Sequence, residues 1–225
     1  MRQLLKLAIC LCIGLLAGFF VGRHRRDTPS GDTPSYELAP DKNGYRNQHG
    51  EMVVHATFDE GRYFSEGFAQ VIVAGKTGYI DLKGQFAVPP KYDRGFRFGE
   101  GVAPVLSGGK YGYIDHTGAM IISPQFEEAM PFSNGLAEFR AGGLWGFIDH
   151  SAKIVIPPTF LETRFFSEGL APVRAANELW GFIDRTGKIV INPEYSEAFP
   201  FSGGRAAVQI GHQRVWIDWT GRRVD

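Results

Sequence analysis

The chain reads as an all-β protein of tandem repeats of about 34 residues, three short strands in each, set in an open twisted array with one apolar helix ahead of it. Three observations predict this. One string of residues recurs at a nearly constant period. Within it, apolar positions alternate with period two, as on one face of a pleated strand. Gly is abundant, with 29 copies, and aromatic residues reach 13%, a composition of many short strands joined by tight turns. A closed or partial propeller-like ring is the alternative arrangement.

The chain opens with an apolar run, Leu7 to Gly22, preceded by Arg2 and Lys6 and followed by Arg23-His24-Arg25-Arg26. Counted from Leu4 it reaches 19 residues, near the ~20 that a helix needs to span hydrocarbon. No small-residue cleavage site precedes the arginines, so residues 1–26 are expected to act as a retained membrane anchor; a cleaved signal segment is the alternative. Bulky residues ahead of Cys10 disfavour a lipoprotein site. Residues 27–41 contain Asp-Thr-Pro-Ser twice and read as a linker.

Residues 42–225 are the repeats. A decayed first copy spans 42–67, expected to lack its opening strand, and further copies start near 68, 102, 136, 170 and 205. The clearest landmark is Gly78-Tyr79-Ile80-Asp81, which returns at Gly112, Gly146 and Gly181 and, altered, as Val215-Trp216-Ile217-Asp218. The successive steps are 34, 34, 35 and 34 residues. A second landmark, Phe64-Ser65-Glu66-Gly67, returns at Phe98, Phe132, Phe166 and Phe201.

Within one copy the first strand runs over 136–140. There Ala137 and Phe139 share a face, as do Ala69 with Val71 and Ala171 with Val173 elsewhere. The second strand is Trp145 to Asp149, with Gly146 and Ile148 on one face and Trp145, Phe147 and Asp149 on the other. An Asp-x-Thr-Gly turn, as in Asp115 to Gly118, leads to a third strand near 153–156. Pro-x-aromatic follows, as in Pro158-Thr159-Phe160, and Pro belongs at an edge or an end of pairing.

This phased string resembles the WG-repeat family. Trp145-Gly146 and Trp180-Gly181 carry the namesake pair, and Asn43-Gly44, Thr77-Gly78, Tyr111-Gly112 and Arg214-Val215 stand in the other copies. The resemblance covers 42–225. It implies a β-rich repeat, found mostly in bacterial proteins, with no established catalytic residues to carry over.

Charge and cysteine content narrow the function classes. Formal net charge is zero, but the first 26 residues hold five basic and no acidic residues. The remainder keeps 19 of the 24 basic residues against all 24 acidic ones, a net of −5. An acidic domain argues against nucleic acid as partner. Cys10 and Cys12 both lie in the apolar run, so the repeats carry neither a disulfide framework nor a thiolate metal site.

The candidate chemistry is thin, and no cofactor is expected. The recurring Asp81, Asp115, Asp149, Asp184 and Asp218 read as turn caps rather than calcium ligands. Glu66, Glu100 and Glu168 recur with the repeat and lack the broken symmetry of a catalytic acid pair. His116 and His150 occupy a turn position held elsewhere by Leu82, Arg185 and Trp219, which suggests a solvent-facing place and no metal-ligand spacing. No phosphate loop or nucleophile motif occurs. The sequence therefore predicts no enzyme, with a glycan hydrolase as the remote alternative.

The remaining site candidate is an aromatic column, Tyr111, Trp145 and Trp180, one equivalent position in three consecutive copies. As a stripe it could stack sugars or anchor a protein; alternatively each ring packs within its own unit. The expected function is a membrane-tethered module, its repeats outside the cytoplasm, that binds or scaffolds a protein or a cell-envelope glycan. A plain structural spacer is the alternative.

Overall fold

The structure, a computed structural model, describes residues 37–38, 44–47, 49–55 and 58–224. The anchor helix expected over 4–22 and most of the expected linker lie outside the described residues. Every strand and sheet below belongs to one unit, Pro34–Asp225. Among the described residues all regular structure is β, and no helix is long and apolar enough to cross a membrane.

Six antiparallel sheets follow one another in sequence. Sheet one holds β1 (Glu37–Leu38), β2 (Gly44–Arg46) and β3 (Met52–His55). Sheet two holds β4 (Glu60–Ser65), β5 (Phe68–Val73), β6 (Lys76–Asp81) and β7 (Phe86–Tyr92). Sheet three holds β8 (Arg94–Gly95), β9 (Val102–Ser107), β10 (Lys110–Asp115) and β11 (Met120–Phe126). Sheet four holds β12 (Glu128–Ala129), β13 (Ala137–Ala141), β14 (Leu144–Ile148) and β15 (Ile154–Phe160). Sheet five holds β16 (Glu162–Thr163), β17 (Leu170–Arg174), β18 (Trp180–Asp184) and β19 (Ile189–Tyr195). Sheet six holds β20 (Glu197–Ala198), β21 (Ala206–Ile210), β22 (Gln213–Ile217) and β23 (Arg223–Val224).

Two expectations change. From the second sheet on, the unit is four-stranded, not three-stranded, because a lead strand pairs ahead of the expected first strand. In sheets three to six it has only two residues, too few to show a period. The first copy does have an opening strand, since Glu37 pairs with Arg46 and Leu38 with Tyr45. The first sheet thus reaches into residues expected to be linker.

The core lies between sheets. Each sheet turns its Ala/Val/Ile face backward and its aromatic face forward. At the junction of sheets two and three, Tyr79, Val88 and Tyr92 meet Phe98, Ala103, Val105 and Ile114. The same set recurs at the other four junctions. Both faces of an inner sheet are buried, so no unit holds a core alone and stacking supplies it.

Among the described residues there are five such clusters for six sheets, one fewer than a ring would need. The end residues agree. Trp216 is 41% exposed, while its equivalents Tyr45, Tyr79, Tyr113, Phe147 and Phe182 are at most 1% exposed. Arg205 replaces the apolar Phe68, Val102, Leu136 and Leu170 and stacks on Trp216 at 4.7 Å. At the other end exposed Arg46 stands where Ile80, Ile114, Ile148 and Ile183 are buried. Polar ends of this kind terminate a stack rather than close it.

Candidate functional site: an apolar ladder on the free sheet edges

The aromatic column keeps its register but faces inward. Tyr111, Trp145 and Trp180 pair across their sheets with Phe126, Phe160 and Tyr195, the aromatic residues of Pro-x-aromatic. Tyr111 is 7% exposed and Trp180 is 4% exposed, with Trp145 half-buried. Burial pushes the Tyr111 phenol above its ordinary range. Tyr111 and Trp180 are covered by the segment just after the lead strand, which sequence reading did not place. Phe96 lies 6.1 Å from the Tyr111 ring, and the Arg164 guanidinium lies 4.9 Å from the Trp180 ring. In sheet six the pair is exchanged: Arg214 holds the Trp position and lies 5.0 Å from Phe199. A cation and a ring attract in either order, which explains how Arg214 fits a tryptophan column. The three residues form an interior seam rather than an open stripe.

The recurring acids are tied to backbone. Each turn Asp accepts from the amides two and four residues on, as Asp149 Oδ1 does from Ser151 (2.9 Å) and Lys153 (3.0 Å). Hydrogen bonding, first from the Ser151 hydroxyl, holds the Asp149 carboxyl below its usual range. The Glu residues link neighbouring turns instead. The Glu66 carboxylate accepts from the amides of Glu100 (2.6 Å) and Gly101 (3.0 Å), one repeat on. Glu100 does the same to Gly135 and Glu168 to Gly203 and Gly204.

The histidines do not simply face solvent. The His116 ring stacks on Phe68 at 4.6 Å, with its Nε2 3.1 Å from Glu66 Oε2. The His150 ring stacks on Phe132 at 3.9 Å, with its Nε2 3.0 Å from Glu100 Oε2. These side chains staple successive turns.

What remains open is the fourth and last strand of each inner sheet. β7, β11, β15 and β19 are the last strands of their sheets and pair on one side only. Each begins with three apolar residues: Phe86-Ala87-Val88, Met120-Ile121-Ile122, Ile154-Val155-Ile156 and Ile189-Val190-Ile191. Strict alternation would bury two of each three on one face. The ladder slips instead. Tyr113 pairs with Ile122 but Ile114 pairs with Met120, leaving Ile121 as an extra residue. Such a bulge re-aims side chains. Met120 and Ile121 are 40% and 51% exposed, while Ile122 is buried. Ile189 and Val190 behave alike, at 46% and 45%.

Phe86, Met120, Ile154 and Ile189 thus form four equivalent exposed rungs. With face-packed sheets ~10 Å apart, they span roughly 30 Å. Between successive rungs the following turn rests on the edge strand: a Cβ on Gly118 would lie 3.2 Å from Val88. The ends are polar or covered, with Arg223 in the last sheet and Met52 beside Arg46 in the first. Sequence reading missed this column. Its signal was the triple apolar run, one residue too many for a one-sided strand. The ladder offers no acid, base or nucleophile; its chemistry is apolar contact.

The WG containing repeat family matches residues 44–76, 78–111, 111–145, 145–177 and 180–211. The chain belongs to this family. No curated protein matches the chain. Among solved structures, the WG-repeat domain resembles the computationally designed Ika8 protein at 12% identity and a TM-score of 0.58, covering 87% of this chain and 71% of that one. Hsv2 of Kluyveromyces lactis aligns at 12% identity and a TM-score of 0.54, covering 84% of this chain and 68% of that one. These likenesses concern the fold alone.

The namesake glycine has a steric cause. A Cβ on Gly146 would lie 2.5 Å from the Ile156 carbonyl oxygen and 2.7 Å from the Pro158 nitrogen, both backbone atoms. The Pro-containing edge strand crosses directly over the glycine. In sheet six β23 is described over Arg223–Val224, and none of the described residues crosses over Val215.

Proposed function

We propose that this WG-repeat array is a protein-binding scaffold, tethered to a membrane through residues 4–22, that holds its partner along the apolar ladder. The ladder carries the reading. Scattered exposed apolar residues are ordinary on any surface, whereas one register position repeated in four sheets and bordered by polar ends is not. Phe, Met and Ile side chains suit an apolar protein surface. Glycan stacking favours open aromatic faces, and the aromatic column is covered. A scaffold outside the cytoplasm rather than an enzyme fits carboxylates already engaged by backbone amides. The tether rests on the length of the apolar run and its missing cleavage site.

The test is site-specific photocrosslinking in native membranes. A crosslinker at Ile154 or Ile189 should trap one discrete partner, and one at exposed Lys91 should not. Ile154→Lys with Ile189→Lys should abolish retention while leaving stability within about 0.5 kcal/mol per site, the usual range for surface changes. Arg223 already shows that the rung accepts a cation. Undiminished partner retention by the folded double variant would refute the ladder as the contact surface.

A further inference from the structure

Sheet six presents a face that none of the described residues covers. In the five other sheets the equivalent face packs on the next sheet. Here it carries exposed Trp216, with Arg205 stacked over it and Arg214 two residues away on the same face of β22. Trp219, 51% exposed, lies against Gly204, and Arg222 and Arg223 stand exposed at the sheet edge.

Charge sets this sheet apart. Residues 197–225 hold four arginines against Glu197, Asp218 and Asp225. Glu197 is paired with Arg164, and Asp218 Oδ1 accepts from the amides of Thr220 and Arg222. Residues 27–196 carry 15 basic and 21 acidic residues. The array is acidic with one basic, tryptophan-bearing end.

We propose that this end face docks on an anionic lipid surface, its arginines pairing with headgroup phosphates and its indoles entering the interface. An indole with an apolar body and one polar N–H suits the boundary between headgroups and chains. Arginine pairs with phosphate in a planar, two-point fashion that lysine cannot match. Salt-sensitive attraction of basic residues to anionic lipid adds to this. The proposal rests on the tether reading, since a tethered chain meets bilayer at high effective concentration and weak contacts then suffice.

The experiment uses the full chain in vesicles of phosphatidylcholine with or without phosphatidylglycerol, brominated on the acyl chains. All four tryptophans lie in the repeats, so bromine quenching reports the array and not the tether. Quenching is expected with brominated phosphatidylglycerol at ~0.1 M salt and its relief near 1 M, where screening is short-ranged. It should vanish in Trp216→Tyr with Trp219→Tyr. Arg205→Gln with Arg214→Gln should cut the ratio of docked to undocked chain roughly thirtyfold. A chain retained through carbonate washing but unquenched overturns the docking face and leaves the tether standing. A chain lost in that wash but quenched beforehand overturns the tether alone. Equal quenching by neutral brominated lipid overturns the anionic preference. A fluorescence shift with polyglutamate and none with vesicles assigns the face to an acidic polypeptide and overturns the lipid.

Discussion

Glu138 is the residue least like its equivalents. Gln70, Pro104, Pro172 and Ala207 hold its position elsewhere, and none can ionise. It is buried beside Phe147 on the forward face of sheet four. Burial pushes its carboxyl up to about 7, with Arg164 only partly opposing. The unfolded chain releases this proton more readily than the folded one. The stabilising difference is therefore complete below the ordinary carboxyl value and is lost as pH rises from there through about 7. Glu138→Gln keeps the shape, uses the residue that sheet two already carries, and removes the charge. It should match the parent protein near pH 4 and exceed its stability at pH 8.5 by on the order of 3 kcal/mol. Urea melts at the two pH values check this, and equal gains at both would show that charge burial is not the cause.

At the scale of the element, the edge strand explains three features together. It crosses over the repeat glycine, it bulges to turn paired apolar side chains outward, and Pro blocks further pairing along its second half. Gly146→Ala must push backbone apart, and should cost about 2 kcal/mol or more, at the upper part of the overpacking range. The readout is the denaturation midpoint of the full chain. A loss below about 0.5 kcal/mol would mean that β15 can lift away, and the steric account of Trp-Gly would fail. The Glu-Gly turns act at the same scale. Glu66, Glu100 and Glu168 sit at positive φ (54°, 54° and 51°), a conformation that side chains resist. The amides of the following turn hold them there. Gly203 takes the Glu position in the sixth sheet's turn, where its own amide is one of those that Glu168 holds.

Across the whole repeat array, stability is a sum over junctions between neighbouring sheets, and the ends decide whether it grows. Arg46 and Arg205 hold those ends polar. Replacing both with the residues their equivalents use, Arg46→Ile and Arg205→Leu, should convert the protein to a head-to-tail associating species. Sedimentation velocity over a concentration series would reveal it. A double variant that stays as monomeric as the parent would show that the end arginines do not limit stacking.

Sequence alone determined the period, the all-β class, the family, the inward Ala/Val/Ile faces and the capping role of Asp149 and its equivalents. Each is written in local alternation or in a turn whose hydrogen bonds close within five residues. The tertiary structure decided what depends on the neighbouring unit. The two-residue lead strands are too short to carry a period, yet the segment after them covers Tyr111 and Trp180. His116 looked free because its partners, Phe68 and Glu66, lie one repeat back. The exposure of Met120 and Ile121 follows from a register slip that an apolar run permits but does not specify. Whether the stack closes was likewise set by Arg46, Arg205 and Trp216, whose meaning appears only when each is set against the buried residue it replaces.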